Sequence, residues 1–193
     1  MPTLSRAQQA IVDQALTGHN VLYTGPAGVG KSTVANAITA AFDAIGRNYE
    51  TAAPTGQAAE RIGAVTIHSL IFKDLGKQPV EHYVKMWKAN KWKMRKWMYL
   101  RTIIIDEISM VGLKLYEKLD LILRGIYDKP LTPFGGLQII ACGDFYQLPP
   151  VKDDFCFDSP VFKQTFPVMH ELHTVYRQRG DPTFLDALHD MRK

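Results

Sequence analysis

Apolar positions along the chain alternate between two spacings. A short unbroken run at residues 20–24, Asn20-Val21-Leu22-Tyr23-Thr24, predicts a buried strand closed by a glycine-rich turn. Over residues 32–45 the spacing becomes helical, with Val34, Ile38 and Ala41 or Phe42 on one stripe and Gly46 near the stop. Residues 49–53 predict a second strand, ended by Pro54, and residues 57–62 a short helix after it. Ile103-Ile104-Ile105, within residues 101–106, is a β-branched run suited to a strand covered on both faces. Helical spacing returns over residues 113–127 through Leu115, Leu119, Ile122 and Ile126. Residues 137–142 predict another buried strand, and residues 168–172 a short last one. Strands alternating with helices predict an α/β domain with a mainly parallel sheet. Residues 73–99 fit the alternation least well and read as an insertion.

Composition adds exclusions. The 193 residues are 46% apolar and 22% charged, which excludes collagen-like, low-complexity and wholly disordered readings. Apolar runs are too short for a transmembrane helix, and the first residues carry neither a secretion signal nor a transit peptide. Cys142 and Cys156 form no CxxC pair, so a reducing, intracellular setting is expected, cytoplasmic or wherever the genome lies. The net charge of +4 is unevenly spread. Residues 73–101 hold nine Lys/Arg against two Asp/Glu, and the rest of the chain 14 against 17. The basic stretch also contains Trp87, Trp92 and Trp97.

The strongest chemical signal is Gly25-Pro26-Ala27-Gly28-Val29-Gly30-Lys31-Ser32, a complete GxxxxGK[ST] pattern between a predicted strand and a predicted helix. Glycines let backbone N–H groups turn inward around phosphate oxygens, and the following helix directs its positive end at the same anion. Lys31 is expected to reach the β- and γ-phosphates, and the Ser32 hydroxyl to ligate Mg²⁺. Thr33 completes the nucleotide-binding set. At the end of the Ile103–Ile105 run, Asp106 is the expected second Mg²⁺ ligand and Glu107 the base for an attacking water. Taken alone, these two acids could equally cap the helix that follows. Gly143-Asp144-Phe145-Tyr146-Gln147-Leu148-Pro149-Pro150 follows another buried strand, and Gln147 is the candidate sensor of γ-phosphate and water.

Together these stretches resemble superfamily-1B DNA helicases, especially the Pif-type branch and its RecD-like relatives, from Leu4 to about Arg192. Leu4-Ser5-Arg6-Ala7-Gln8 is similar to the Q motif, whose glutamine reads adenine, a role that falls to Gln8. Ala53-Pro54-Thr55-Gly56-Gln57-Ala58-Ala59 resembles motif Ia, and Thr66-Ile67-His68-Ser69-Leu70 the next DNA-facing motif, which makes Pro54, Thr55, Gly56 and His68 candidate DNA contacts. Pro133-Phe134-Gly135-Gly136-Leu137-Gln138 carries the branch's signature before the Gln147 motif. Val175-Tyr176-Arg177-Gln178 resembles motif IV, whose arginine meets the γ-phosphate, so Arg177 joins Lys31, Glu107 and Gln147 as catalytic candidates.

The resemblance implies a three-layer RecA-like P-loop domain over residues 1–193, with an insertion at about 73–100. It implies an ATP- and Mg²⁺-dependent motor moving 5′→3′ along single-stranded DNA, here as a monomer without membrane contact. The second RecA-like domain of the family lies outside the sequence, so weak turnover and little unwinding are expected of this chain alone. Two other classes compete: a non-hydrolysing nucleotide- or DNA-binding module, and a P-loop small-molecule kinase, for which residues 143–150 have no obvious place.

Several features have bland alternatives. His68 alone would more often be a structural histidine. His170-Glu171-Leu172-His173 is one residue short of HExxH and cannot set two imidazoles one helical turn apart. Tryptophans five residues apart advance about 140° around a helix each time, so they cannot share one face. Either the rings stack on bases while the lysines hold phosphates, or they pack on the domain; packing is preferred, because tryptophan is usually mostly buried.

Overall fold

Six strands, β1 (Val21–Thr24), β2 (Tyr49–Ala53), β3 (Val65–Thr66), β4 (Thr102–Ile105), β5 (Gln138–Gly143) and β6 (Met169–Glu171), pair only in parallel. This is seen in a computed structural model that describes residues 3–174. Their order is β3-β2-β4-β5-β1-β6, so the chain winds one way from β1 and returns on its other side with β6. The crevice beyond β1 is thus the switch point at which open parallel sheets hold ligands.

Among the described residues, seven α-helices accompany the sheet: α1 (Arg6–Leu16), α2 (Lys31–Ala44), α3 (Gly56–Arg61), α4 (Val80–Lys88), α5 (Lys91–Tyr99), α6 (Leu113–Ile126) and α7 (Pro160–Thr165). They cover both faces, which explains the unbroken apolar strands. Ile103, Ile105, Ile139 and Ala141 face a larger core with α4, α5 and α6, while Ile104, Ile140 and Cys142 face a smaller one with α1 and α2. Alternate residues point to opposite faces, so both sets must be apolar. The result is the three-layer parallel α/β architecture expected from the pattern.

The basic stretch is built into this core. The chain breaks between α4 and α5, where Asn90 caps α5 by accepting from the N–H groups of Trp92 and Lys93. The 140° arithmetic holds only within one helix. Across the break, Trp87 and Trp97 meet edge to face at 5.2 Å, both buried, and Trp87 Nε1 donates to the Ile71 carbonyl at 2.7 Å. Trp92, within α5 with Trp97, lies on the opposite side and is 80% exposed. Packing therefore accounts for two of the three rings.

Two further devices fix the scaffold. At the strand starts, Gln138 Nε2 donates to the carbonyls of Ala15 and His19, and its Oε1 accepts from Thr102 Oγ1 at 2.6 Å. Arg47 joins this network through the carbonyls of Ala15 and Leu16. Between α6 and β5, Phe134 and Gly135 adopt left-handed φ of 51° and 65°. The buried Asp120 accepts from Phe134 N at 2.6 Å and from Arg124 Nε at 2.7 Å, holding that turn against α6.

Candidate functional site

Four strand ends converge beside the β1 crevice. After β1 the loop turns through Gly25, Gly28 and Gly30 at φ of 153°, 85° and 85°, values that L side chains adopt only at a cost. A Cβ on Gly25 would run into the Leu172 carbonyl, so the loop is also held from behind. α2 starts at Lys31 with no side-chain cap. Among the described residues, no acceptor meets the N–H groups of Gly28, Gly30, Lys31 or Ser32. Such a row of inward N–H groups at a helix start is an anion nest. Lys31 Nζ donates to the carbonyls of Gly25 and Pro26 at 2.7 and 3.1 Å, which folds its ammonium over the same nest.

Across a cavity of about 310 Å³ from Gly28, Lys31 and Ser32 stand Asp106, Glu107 and Gln147. The sheet sets this distance, because β4 and β1 end at the same edge on either side of β5. Asp106 Oδ1 accepts from Glu107 N and from the Cys142 thiol, both at 3.0 Å. Burial, then the Asp106 charge, pushes the Cys142 thiol well above its ordinary pKa, so it stays a neutral donor to that carboxylate. Glu107 itself sits in the left-handed region at φ 54°, ψ 45°. Backbone strain in a non-glycine residue at a cavity wall is a mark of a site fixed by its surroundings. Gln147 is held from Asp144: its Nε2 donates to Asp144 Oδ2 at 3.0 Å, and its N–H to the Asp144 carbonyl at 3.0 Å.

Three participants were not anticipated from the sequence. Arg61, the last residue of α3, donates to Glu107 Oε1 at 2.8 Å and lies 3.4 Å from Asp106 Oδ2. Cys142 reaches Asp106 from the neighbouring strand, and Asp144 supports Gln147. Only Asp144 had a local signal, an acid three residues before the amide it holds. The other two are brought in by strand pairing, which no local pattern encodes.

Gln8 lies beside the loop and is buried. Its Oε1 accepts from Ser5 N at 2.9 Å, the Ser5 hydroxyl accepts from Gln8 N at 3.2 Å, and its Nε2 donates to the Val29 carbonyl at 3.3 Å. The stretch read as a nucleotide motif is thus also a capping box opening α1. An amide carries two N–H bonds and two lone pairs, so one of each is left for a further partner.

The candidate DNA contacts follow β2 and β3 at the same sheet edge. Thr55 caps α3 by accepting from Ala58 N at 3.2 Å, next to the half-buried Pro54 and the exposed Gly56. Thr55 also lines a second cavity, about 560 Å³, that shares Arg61, Glu107 and Gln147 with the first. His68 opens a single π-helical turn, His68–Phe72, with its ring 5.3 Å from Phe72. Arg177 lies outside the described residues. No helix among the described residues is long and apolar enough to cross a membrane.

The donor set suits Mg²⁺. A serine hydroxyl and an aspartate are hard oxygen ligands, and this ion is commonly held by one or two such groups plus substrate phosphates.

Residues 3–182 match the protein family described as PIF1-like helicase. The chain is 42% identical to the ATP-dependent DNA helicase PIF1 of Saccharomyces cerevisiae, spanning 98% of this chain and 23% of that relative. It is 38% identical to the human protein of the same name, over 99% of this chain and 30% of that one. Among solved structures, a crystal structure of Pif1 helicase from Candida albicans superposes with a TM-score of 0.90 at 40% identity, over 100% of this chain and 45% of that chain. Pif1 helicase from Bacteroides in complex with ADP-AlF3 and single-stranded DNA gives 0.81 at 32% identity, over 100% and 47%. The chain thus spans less than half the length of these relatives. Its parallel sheet, P-loop and opposed carboxylates occur on a RecA-like α/β frame, and the chain belongs to the PIF1-like helicase family.

Proposed function

We propose that this chain is the ATP-binding motor domain of an ATP-dependent 5′→3′ DNA helicase, completed by a second RecA-like domain outside its 193 residues. One observation carries the reading: the N–H nest and Lys31 face Asp106, Glu107 and Gln147 across a single cavity at the sheet's ligand edge. The nest and Lys31 bind the triphosphate tail, and a phosphate oxygen replaces the two loop carbonyls as partner of the ammonium. Gln8 offers its remaining amide groups to adenine. Ser32 and Asp106 would hold Mg²⁺, which would supply charge neutralisation at the phosphate oxygens.

Glu107 takes the proton of the attacking water as the new bond to the γ-phosphorus forms and the bond to the ADP oxygen breaks. Before that, Arg61 must yield Glu107, since the Oε1 lone pair that accepts from its guanidinium is not open to the water's proton. Gln147, steadied by Asp144, orients the water, and Arg177 contributes a γ-phosphate contact on the strength of the family resemblance. Pro54, Thr55, Gly56 and His68 contact the backbone of single-stranded DNA, where hydroxyls and amides give position without sequence choice. α3, capped by Thr55 and ending at Arg61, links the DNA contacts to the catalytic acids.

Two substitutions in the protein carrying both motor domains test the assignment. Lys31→Ala is expected to weaken ATP binding and abolish turnover. Glu107→Gln is expected to keep ATP bound while DNA-stimulated turnover falls by about 10² or more. Normal hydrolysis by Glu107→Gln would remove the catalytic assignment of that residue, and absence of DNA-stimulated turnover in the parent would leave a nucleotide-binding module.

A further inference from the structure

Burial of Trp87 and Trp97 leaves the outer side of α5 unexplained. At about 100° per residue, Trp92, Arg95, Lys96 and Tyr99 fall within one sector of roughly 100°. Trp97 lies on the opposite, buried side. Trp92 is 80% exposed and Tyr99 55%, and the Arg95 guanidinium lies 5.9 Å from the Tyr99 ring centre. The two rings are about 10 Å apart along the helix axis, with cations between and beside them. A large aromatic pair facing water does nothing for this core.

The charges around these rings are only partly balanced. Lys96 pairs with Glu50 at 2.7 Å and Lys88 with Asp128 at 2.5 Å. Among the described residues, Lys91, Lys93 and Arg95 have no carboxylate partner. Lys73 feels the crowding as well. Burial lowers its pKa first, Lys96 and Lys93 lower it further, and Glu50 opposes them. A group of like charges near enough to repel one another is stabilised by a polyanion.

Position separates this face from the motor cleft. α5 runs directly into the N-terminal end of β4, whereas Asp106 follows that strand's C-terminal end. Four strand residues, about 13 Å, lie between.

We propose that the outward face of α5, formed by Trp92, Arg95 and Tyr99 with Lys91 beside Arg95, is a second contact for single-stranded nucleic acid, distinct from the loops at the strand ends. The rings offer π-faces that accept any base, and the cations meet the phosphates on either side. Such a contact is sequence-tolerant and salt-sensitive. It is independent of catalysis: a chain that never turned over ATP would have the same face.

The test uses this chain and a labelled oligo-dT of about 15 nucleotides, within the usual range of such sites. Trp87 and Trp97 are buried, so quenching of tryptophan emission by the oligonucleotide reports Trp92, and Trp92→Phe is expected to remove it. Trp92→Ala is expected to weaken binding about five-fold or more. The double variant Lys91→Ala/Arg95→Ala is expected to flatten the log affinity against log salt slope by about 1.4, or about 0.7 per lost phosphate contact. The Trp92→Ala and Lys91→Ala/Arg95→Ala effects are expected to persist in a Thr55→Ala/His68→Ala background, which weakens the other track. Lys91, Trp92 and Arg95 are exposed on α5, and matching thermal melts verify the fold of every variant. Unchanged affinity, slope and emission would overturn the proposal. So would loss of all binding in the Thr55→Ala/His68→Ala background, or capture of phosphatidylserine vesicles without capture of oligo-dT. Failure of the motor reading shows instead in turnover by Glu107→Gln.

Discussion

The turn after β1 and the turn before β5 both rest on glycines at positive φ, yet they use their backbone donors in opposite ways. In the first, Gly28 and Gly30 leave a row of N–H groups facing a cavity. In the second, the Phe134 N–H is claimed by Asp120, and a Cβ on Gly135 would come within 2.7 Å of the Leu123 carbonyl and 2.8 Å of Tyr127 Cβ. One turn keeps its backbone available to a ligand, and the other presses its backbone into α6. A glycine-rich signature therefore reports backbone shape, and its meaning depends on whether the shape's donors are already consumed.

That contrast can be broken from either side. Asp120→Ala removes the acceptor of a buried N–H and the partner of Arg124, and is expected to cost about 3–5 kcal/mol, read as a fall in urea midpoint. Gly135→Ala adds a clash to a left-handed backbone and is expected to cost about 2–4 kcal/mol, with nucleotide affinity preserved in the protein that remains folded. Gly30→Ala should behave in reverse. Its Cβ would lie 2.6 Å from Gln8 Nε2, the end of a buried side chain that must give up its bond to the Val29 carbonyl, so about 2–3 kcal/mol is lost while calorimetric ATP affinity falls sharply. Equal losses of affinity in the two glycine variants would end the distinction.

A smaller effect concerns pH and sharpens the site's side of the comparison. Burial raises the Cys142 thiol well above its ordinary value of 9.0, and raises Cys156 to about 12. The unfolded chain releases these protons first, so stability is fully present below about pH 9 and declines as pH rises beyond it. Melting temperatures measured across that range are expected to fall less steeply in Cys142→Ala than in the parent.

Much of this was legible locally. The strand before the P-loop, the helix after it and the isoleucine run ending in two acids follow from spacing alone, because each element's period and its end signal lie within a few residues. α1 was hidden by its double use, since Ser5 and Gln8 form a capping box within a stretch that also reads as a nucleotide motif. The α4–α5 break was not read: the 140° arithmetic treats the three tryptophans as if on one helix, whereas Asn90 interrupts it by capping α5. Arg61 and Cys142 at the site could not be read from the chain. Their relation to Asp106 exists only once β2, β4 and β5 are paired.

The Gln138 and Arg47 network gathers α1, the end of α2 and the starts of β4 and β5 at the edge remote from the cavity. Strand order is thus anchored where no chemistry occurs. The loops beyond Thr24, Ala53, Ile105 and Gly143 can therefore diverge at their exposed positions and retune recognition, while inward residues such as Ile108 and Val111 tie them to the frame beneath.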